Sequence, residues 1–194
     1  MLFINVNTKH KTDYYLVKHL ISRINKQNIQ MRTDKQHSGL KIGDRLPAFT
    51  LLNQHDEIIS SARLAKQALV LFFYPKDDTP ICIAEACSFR NYYSEFRDLD
   101  AQVIGISSDN RASHAAFAQK YQLPFMLLSD ENDEVRKLFG VPAPFMGMAP
   151  GRVTYIFDES GKLVHKFNSF FQAKAHVEAA LNQLKQLKQL NKKK

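Results

Sequence analysis

The 194-residue chain has no tryptophan, only two cysteines, and no apolar run of the roughly 18 residues that a membrane-spanning helix needs. Two cysteines are too few for a disulfide framework, and in a reducing compartment two thiols set close together point to catalysis or metal binding instead of a structural staple. The N-terminus lacks the short apolar block of a secretory signal, so an intracellular, cytoplasmic protein with no membrane partner is expected. Without tryptophan, chemistry at the thiols has no strong intrinsic fluorescence reporter. An acidic excess is missing too, since the formal net charge is +8. That charge lies at the ends: residues 1–38 hold seven Lys/Arg against two acids, residues 173–194 six against one, and the middle fourteen against sixteen. Solvated basic tails account for this pattern, and with no aromatic interleaving or nucleic-acid motif beside them no nucleic-acid partner is expected.

What the chain does have is a 44% hydrophobic share, enough for the core of one domain of ordinary size. That domain is expected over 39–183, flanked by a basic N-terminal extension (1–38) and a basic C-terminal helix extension and tail (184–194). Within 1–38, Val17, Leu20, Ile21 and Ile24 share one face of an amphipathic helix; disorder is the alternative. The segment is basic like a transit peptide, which would place the protein in a plastid or other organelle, yet it is short of the Ser and Arg such peptides favour. A start just upstream of Met31 is a further alternative. The stretch around residues 145–148, "FMGM", reads as a loop packing Met into the core.

"ALVLFFY" (68–74) and "QVIGIS" (102–107) are short apolar runs of strand length, and 80–98 between them reads as one helix with Ile83, Ala86, Cys87, Phe89, Tyr93 and Phe96 on a broad apolar face. A second helix is expected through "RASHAAFAQKYQ", then a strand at "FMLLS" and a short helix "DEVRKLFG" closed by Gly140. "RVTYIFD" and "KLVHKFN" around "ESG" signal a hairpin, and a last helix from about Ala173 carries Val177, Ala180, Leu181, Leu184, Leu187 and Leu190. This order predicts an α/β thioredoxin-like fold, a mixed central sheet with helices on both faces.

Both cysteines lie in "YPKDDTPICIAEAC" (74–87), five positions apart. Thr79-Pro80 is a strong helix start, a hydroxyl able to cap followed by a ring preset to helical φ. Cys82 then falls in the first turn, where free N–H groups and the positive end of the helix dipole favour the nucleophilic thiolate. From spacing alone, Arg152 reads as a surface ion pair.

The segment "YPKDDTPICIAEACSFRNYYSEF" resembles the active site of a peroxiredoxin of the Q, or bacterioferritin comigratory protein, type, within the AhpC/TSA-like superfamily. The likeness continues through "GISSDNRASHAAFAQKY", "LPFMLLSDENDEVRKLFGV", "PGRVTYIFDESGKLVHKFNS" and "AHVEAAL", about residues 40–183, and "APGRVTY" is nearest the plastid and cyanobacterial branch. The resemblance implies a thiol peroxidase acting on hydrogen peroxide and organic hydroperoxides. Cys82 would be the peroxidatic cysteine, Thr79 a holder of a peroxide oxygen, Pro75 a shield against water, and Arg152 a cation for thiolate and transition state. Cys87 would resolve the Cys82 sulfenic acid as an intramolecular disulfide, reduced in turn by thioredoxin or a similar dithiol; no cofactor is implied, and a monomer is expected. Cα atoms five apart on a helix are about 8–9 Å from each other, beyond the roughly 7 Å that a disulfide spans. The helix start must therefore unwind in each cycle. Ile81 and Ile83 depart from the family's usual Gly and Thr and would stiffen that start.

Other chemistries fit less well. A thiol–disulfide oxidoreductase would need CxxC spacing, and a zinc site two more ligands, yet none of the seven histidines lies at ligand spacing from the pair. His114 and His176 read as helix-surface or packing residues. A non-enzymatic peroxide sensor would use the same cysteines without turnover.

Overall fold

The computed structural model describes residues 6–33, 39–143 and 150–191, with side chains over 15–28, 39–143 and 150–190. The "FMGM" stretch, residues 145–148, lies outside the described residues. After helix α1 (Val6–Thr33) come β1 (Thr50–Asn53), β2 (Ile58–Ser60), α2 (Ser61–Leu64), β3 (Ala68–Phe73), α3 (Pro80–Asn91), α4 (Tyr93–Asp98) and β4 (Ala101–Ser107). Then follow α5 (Arg111–Tyr121), β5 (Met126–Ser129), α6 (Glu134–Phe139), β6 (Val153–Phe157), β7 (Leu163–Asn168) and α7 (Ala173–Asn191). The strands form one mixed sheet ordered β2-β1-β5-β4-β3-β6-β7, parallel from β5 through β3 and antiparallel at both sides.

β3 shows why its apolar run is unbroken. Leu69, Leu71 and Phe73 enter the core on one face of the sheet, and Val70 and Phe72, followed by Tyr74, enter the core on the other. A strand buried on both faces has no polar side to alternate with. Over the second face lie α3, α5 and α7, and there Phe72 stacks on Phe89 of α3 at 4.5 Å between ring centroids. α7 presents Ala173, His176, Val177, Ala180, Leu181 and Leu184, at i, i+3, i+4, i+7, i+8 and i+11, as its buried face and packs against α3.

The expected helix over 80–98 is two helices. Tyr92 leaves helical geometry (φ −103°, ψ 12°) and separates α3 from α4. Asn91-Tyr92-Tyr93-Ser94 is a run of weak helix formers, and Phe89 and Phe96, seven residues apart, both stay buried across the break. The sequence reading also missed the β1–β2 hairpin. Its turn has no glycine and is closed by Asn53, whose Oδ1 accepts from the backbone N–H of His55 (2.9 Å) and Glu57 (3.0 Å).

In α1 the inward face differs from the expected one. Ile21 and Asn25 are buried while Leu20 and Ile24 are exposed. Asn25 takes the place of a strand partner, donating to Thr50 O and accepting from Thr50 N, both at 3.0 Å. No described helix is long and apolar enough to cross a membrane.

Candidate active site

β3 ends at Phe73 and the chain turns through Pro75 and Asp77 into α3. Asp77, nearly buried, pins this turn: its N–H donates to Asp109 Oδ2 (2.8 Å), and its carboxylate accepts from Tyr74 OH and Ser113 Oγ, both 2.7 Å, with His114 Nδ1 at 2.9 Å. His114 is therefore a fully buried polar partner of the loop and not a surface residue. Thr79 is the N-cap of α3 by backbone geometry, but its hydroxyl makes no cap bond; it donates back to Lys76 O at 3.1 Å. Pro80 supplies no N–H at the first helical position.

Cys82 sits in the first turn of α3 and is 1% exposed. Arg152, which precedes β6, is equally buried, so it is not the surface ion pair its spacing suggests. Its guanidinium is committed on three sides: Nη2 to Cys82 Sγ (3.1 Å), Nη1 to Glu85 Oε2 in an ion pair, and Nε to Phe170 O (3.1 Å). A permanent cation facing a buried sulfur can stabilise negative charge there and on an oxygen beside it. Cys87 is half-buried farther along the same helix, and both thiols are free.

Of the sequence-derived set, the fold joins Cys82 and Arg152 directly, brings Pro75 and Thr79 in through the loop leading to Cys82, and leaves Cys87 a turn and a half down an intact helix. Two neighbours were not singled out from sequence, and a third, His176, was read only as a helix-surface or packing residue. Glu85 is the lone acid in the otherwise apolar stretch 81–87, three residues after Cys82, and that isolation was a readable signal. It is fully buried; desolvation pushes its carboxyl up to about 7 against the opposing pull of Arg152. His176 donates from Nε2 to Ser169 O (2.8 Å), which leaves Nδ1 to accept from Thr154 Oγ1 (2.7 Å), and desolvation pulls the ring down to about 4. Arg136 of α6 donates to Tyr74 O (2.7 Å) and Gly151 O (2.9 Å), tying together the residues that precede Pro75 and Arg152. Nothing in the local sequence of α6 announced that clamp. Among the described residues no cluster of three or more His, Cys, Asp or Glu could hold a metal ion.

The AhpC/TSA family pattern matches residues 42–166. The chloroplastic peroxiredoxin Q of Sedum lineare is 44% identical over 146 residues, 75% of this chain and 78% of that protein. The chloroplastic peroxiredoxin Q of Arabidopsis thaliana is 46% identical over 143 residues, 74% and 66% of the two chains. Among solved structures, peroxidoxin BcpB of Mycobacterium tuberculosis superposes with a TM-score of 0.70 at 34% identity, over 75% of this chain and 97% of that one. A cysteine-to-serine mutant of Xylella fastidiosa PrxQ gives a TM-score of 0.68 at 28% identity, over 76% and 97%. The sheet and helices described above are the thioredoxin-like fold these neighbours share.

Proposed function

The chain belongs to the AhpC/TSA family and is a peroxiredoxin, a thiol peroxidase, and from that premise we propose that Cys82 is its peroxidatic cysteine, Arg152 its catalytic cation and Cys87 its resolving cysteine. The observation that carries this reading is the buried contact of Arg152 Nη2 with Cys82 Sγ at 3.1 Å. In the first step the Cys82 thiolate attacks one peroxide oxygen: the S–O bond forms, the O–O bond breaks, and the departing oxygen leaves as hydroxide or alkoxide and takes up a proton. The product is a sulfenic acid on Cys82. Arg152 stabilises the charge as it moves from sulfur to the leaving oxygen. Thr79 has its proton engaged with Lys76 O, so it meets the peroxide as an acceptor of the peroxide O–H. Pro75 closes the loop side of the pocket against water.

Cys87 then displaces water from the sulfenic acid to give a disulfide, after the start of α3 unwinds. The disulfide is returned to two thiols by a dithiol protein of the thioredoxin kind, and the enzyme works as a monomer. The domain spans 39–183, with 1–38 and 184–194 as basic extensions. The chloroplastic plant relatives favour a plastid over the cytoplasm as the working compartment.

The test is intact mass after one equivalent of peroxide, with and without alkylation, on wild type, Cys82→Ser and Cys87→Ser. Wild type should lose both free thiols together, Cys87→Ser should stop at one added oxygen on Cys82, and Cys82→Ser should not react. Peroxide turnover in Cys82→Ser sinks the assignment, and wild type that is oxidised once but never turns over with thioredoxin is a sensor instead.

A further inference from the structure

We propose that Glu85 and His176 form a buried proton-binding site behind Arg152, and that its occupancy sets how much of the Arg152 charge is presented to Cys82. This rests on the assignment of Cys82 and Arg152 to the peroxide step. The geometry is a relay of three groups on two elements: Cys82 Sγ and, one turn later, Glu85 on α3, with the Arg152 fork beside β6 between them. Behind Glu85, His176 of α7 brings Nδ1 to 3.6 Å from Oε1. Oε1 is buried and has no hydrogen-bond partner among the described residues. An ionised carboxylate oxygen in that state is costly, and a protonated one has an acceptor beside it.

That acceptor follows from the hydrogen bonds of the ring. Nε2 faces the Ser169 carbonyl and so carries the hydrogen, which leaves a lone pair on Nδ1. Thr154 Oγ1 donates to that lone pair in the resting structure, and a proton on Glu85 Oε1 competes for it. Burial raises the carboxyl and lowers the ring, which favours this arrangement of one proton on Glu85 and a neutral His176.

Charge counting gives the consequence. With Cys82 as thiol and Glu85 ionised, the Cys82–Arg152–Glu85 cluster is neutral. With Cys82 as thiolate and Glu85 protonated, it is neutral again. A thiolate beside an ionised Glu85 instead puts two anions on one buried cation and leaves a net charge of −1 out of water, which is unfavourable. Proton loss at Cys82 is therefore coupled to proton uptake at Glu85, and loss of that proton turns Arg152 away from the sulfur electrostatically. On α7, Lys174, Glu178 and Lys185 are exposed; on β7, His165 pairs with Ile156 on the sheet face that α7 covers, and Lys166 lies over the Tyr155 ring on the other face. Cys82, Arg152 and His176 are the only titratable or charged groups the cluster contains.

Glu85 acts through Arg152 and is a positioning residue, so the test reads proton occupancy and the pH profile of the first step. Quench-and-alkylate mass spectrometry should give the rate of Cys82 oxidation by hydrogen peroxide from pH 5.5 to 9 in wild type and Glu85→Gln. Gln still accepts from Arg152 but cannot take a proton. Wild type should slow about tenfold on the alkaline side, as expected for one charge acting across a partly screened pocket, and Glu85→Gln should hold its plateau. As an activity-independent measurement, infrared difference spectra should show the carbonyl band of a buried protonated carboxylic acid in wild type and not in Glu85→Gln. In Cys82→Ser, which lacks the neighbouring anion, that band should vanish at lower pH. No such band, a band whose titration is the same in Cys82→Ser, or an alkaline decline shared by wild type and Glu85→Gln overturns the proposal. Failure of Cys82 to oxidise at any pH would instead overturn the peroxidase assignment.

Discussion

Replacing Glu85 with Gln should change the dependence of stability on pH between 4.5 and 6.5 relative to wild type. Burial raises Glu85 from 4.5 to about 7. A carboxyl raised in this way contributes stability that is complete below its unfolded value and lost as the pH climbs through about 7. Burial lowers His176 from 6.5 to about 4, and that contribution is complete above 6.5 and lost as the pH falls through about 4. Between 4.5 and 6.5 the folded pair holds one proton, on Glu85, and the unfolded chain also holds one, on His176. Folding moves the proton from one residue to the other without changing the count, so the two slopes cancel. Glu85→Gln removes one side of that balance: the unfolded chain still protonates His176 and the folded one holds no proton. Relative to wild type, stability of the variant should then rise with pH by up to about 3 kcal/mol across the window, the worth of the His176 displacement. With a urea slope of about 2–3 kcal/mol/M for a domain of this size, the midpoint should move by about 1–1.5 M relative to wild type. Urea titrations of both proteins at pH 4.5, 5.5 and 6.5, read by far-ultraviolet circular dichroism, measure it. In a Cys82→Ser background, which removes the thiol coupled to Glu85, the remaining groups titrate alike in the two proteins, so parallel curves there would refute the reasoning.

Arg152→Lys keeps the charge but cannot hold Sγ, Glu85 and the Phe170 carbonyl at once, and it should slow Cys82 oxidation on the order of 10²-fold; single-turnover rates with hydrogen peroxide check this, and an unchanged rate places Arg152 outside the reaction. Ile81→Gly loosens the first turn of α3, which costs the wound state about 0.5–1 kcal/mol, so disulfide formation should speed up about two- to fivefold with no change in the first attack. Time-resolved alkylation separates the two steps, and equal resolution rates would show that unwinding is not limiting. Deleting residues 1–38 removes the buried Ile21 and the paired Asn25–Thr50 bonds, and it should cost about 2–4 kcal/mol in a denaturant melt while leaving the peroxide rate within about twofold. A folded but inactive truncation would mean that α1 serves the site.

The stretch 74–87 carries its own chemistry: a proline-started helix with a cysteine in its first turn is written locally, and so is the period-3.6 face of α7. β3 was legible for the same reason, because a strand buried on both faces needs an unbroken apolar run. The break at Tyr92 was less legible, since the weak helix propensity of Asn91–Ser94 permits a break without requiring one. The role of Arg152 was not legible from its neighbours at all. Seventy residues separate it from Cys82, and only the antiparallel pairing of β6 with β3 brings the two together at the same end of the sheet. Glu85 and His176 likewise read as an acid and a histidine on two helices until α7 packs on α3 and water is excluded. Which residues are nucleophilic, apolar or helix-starting could be read from the chain, because those are properties of short segments. Tertiary structure alone decided which charge faces the sulfur and which proton is trapped behind it, because burial and long-range pairing set the electrostatics of a site that no single segment contains.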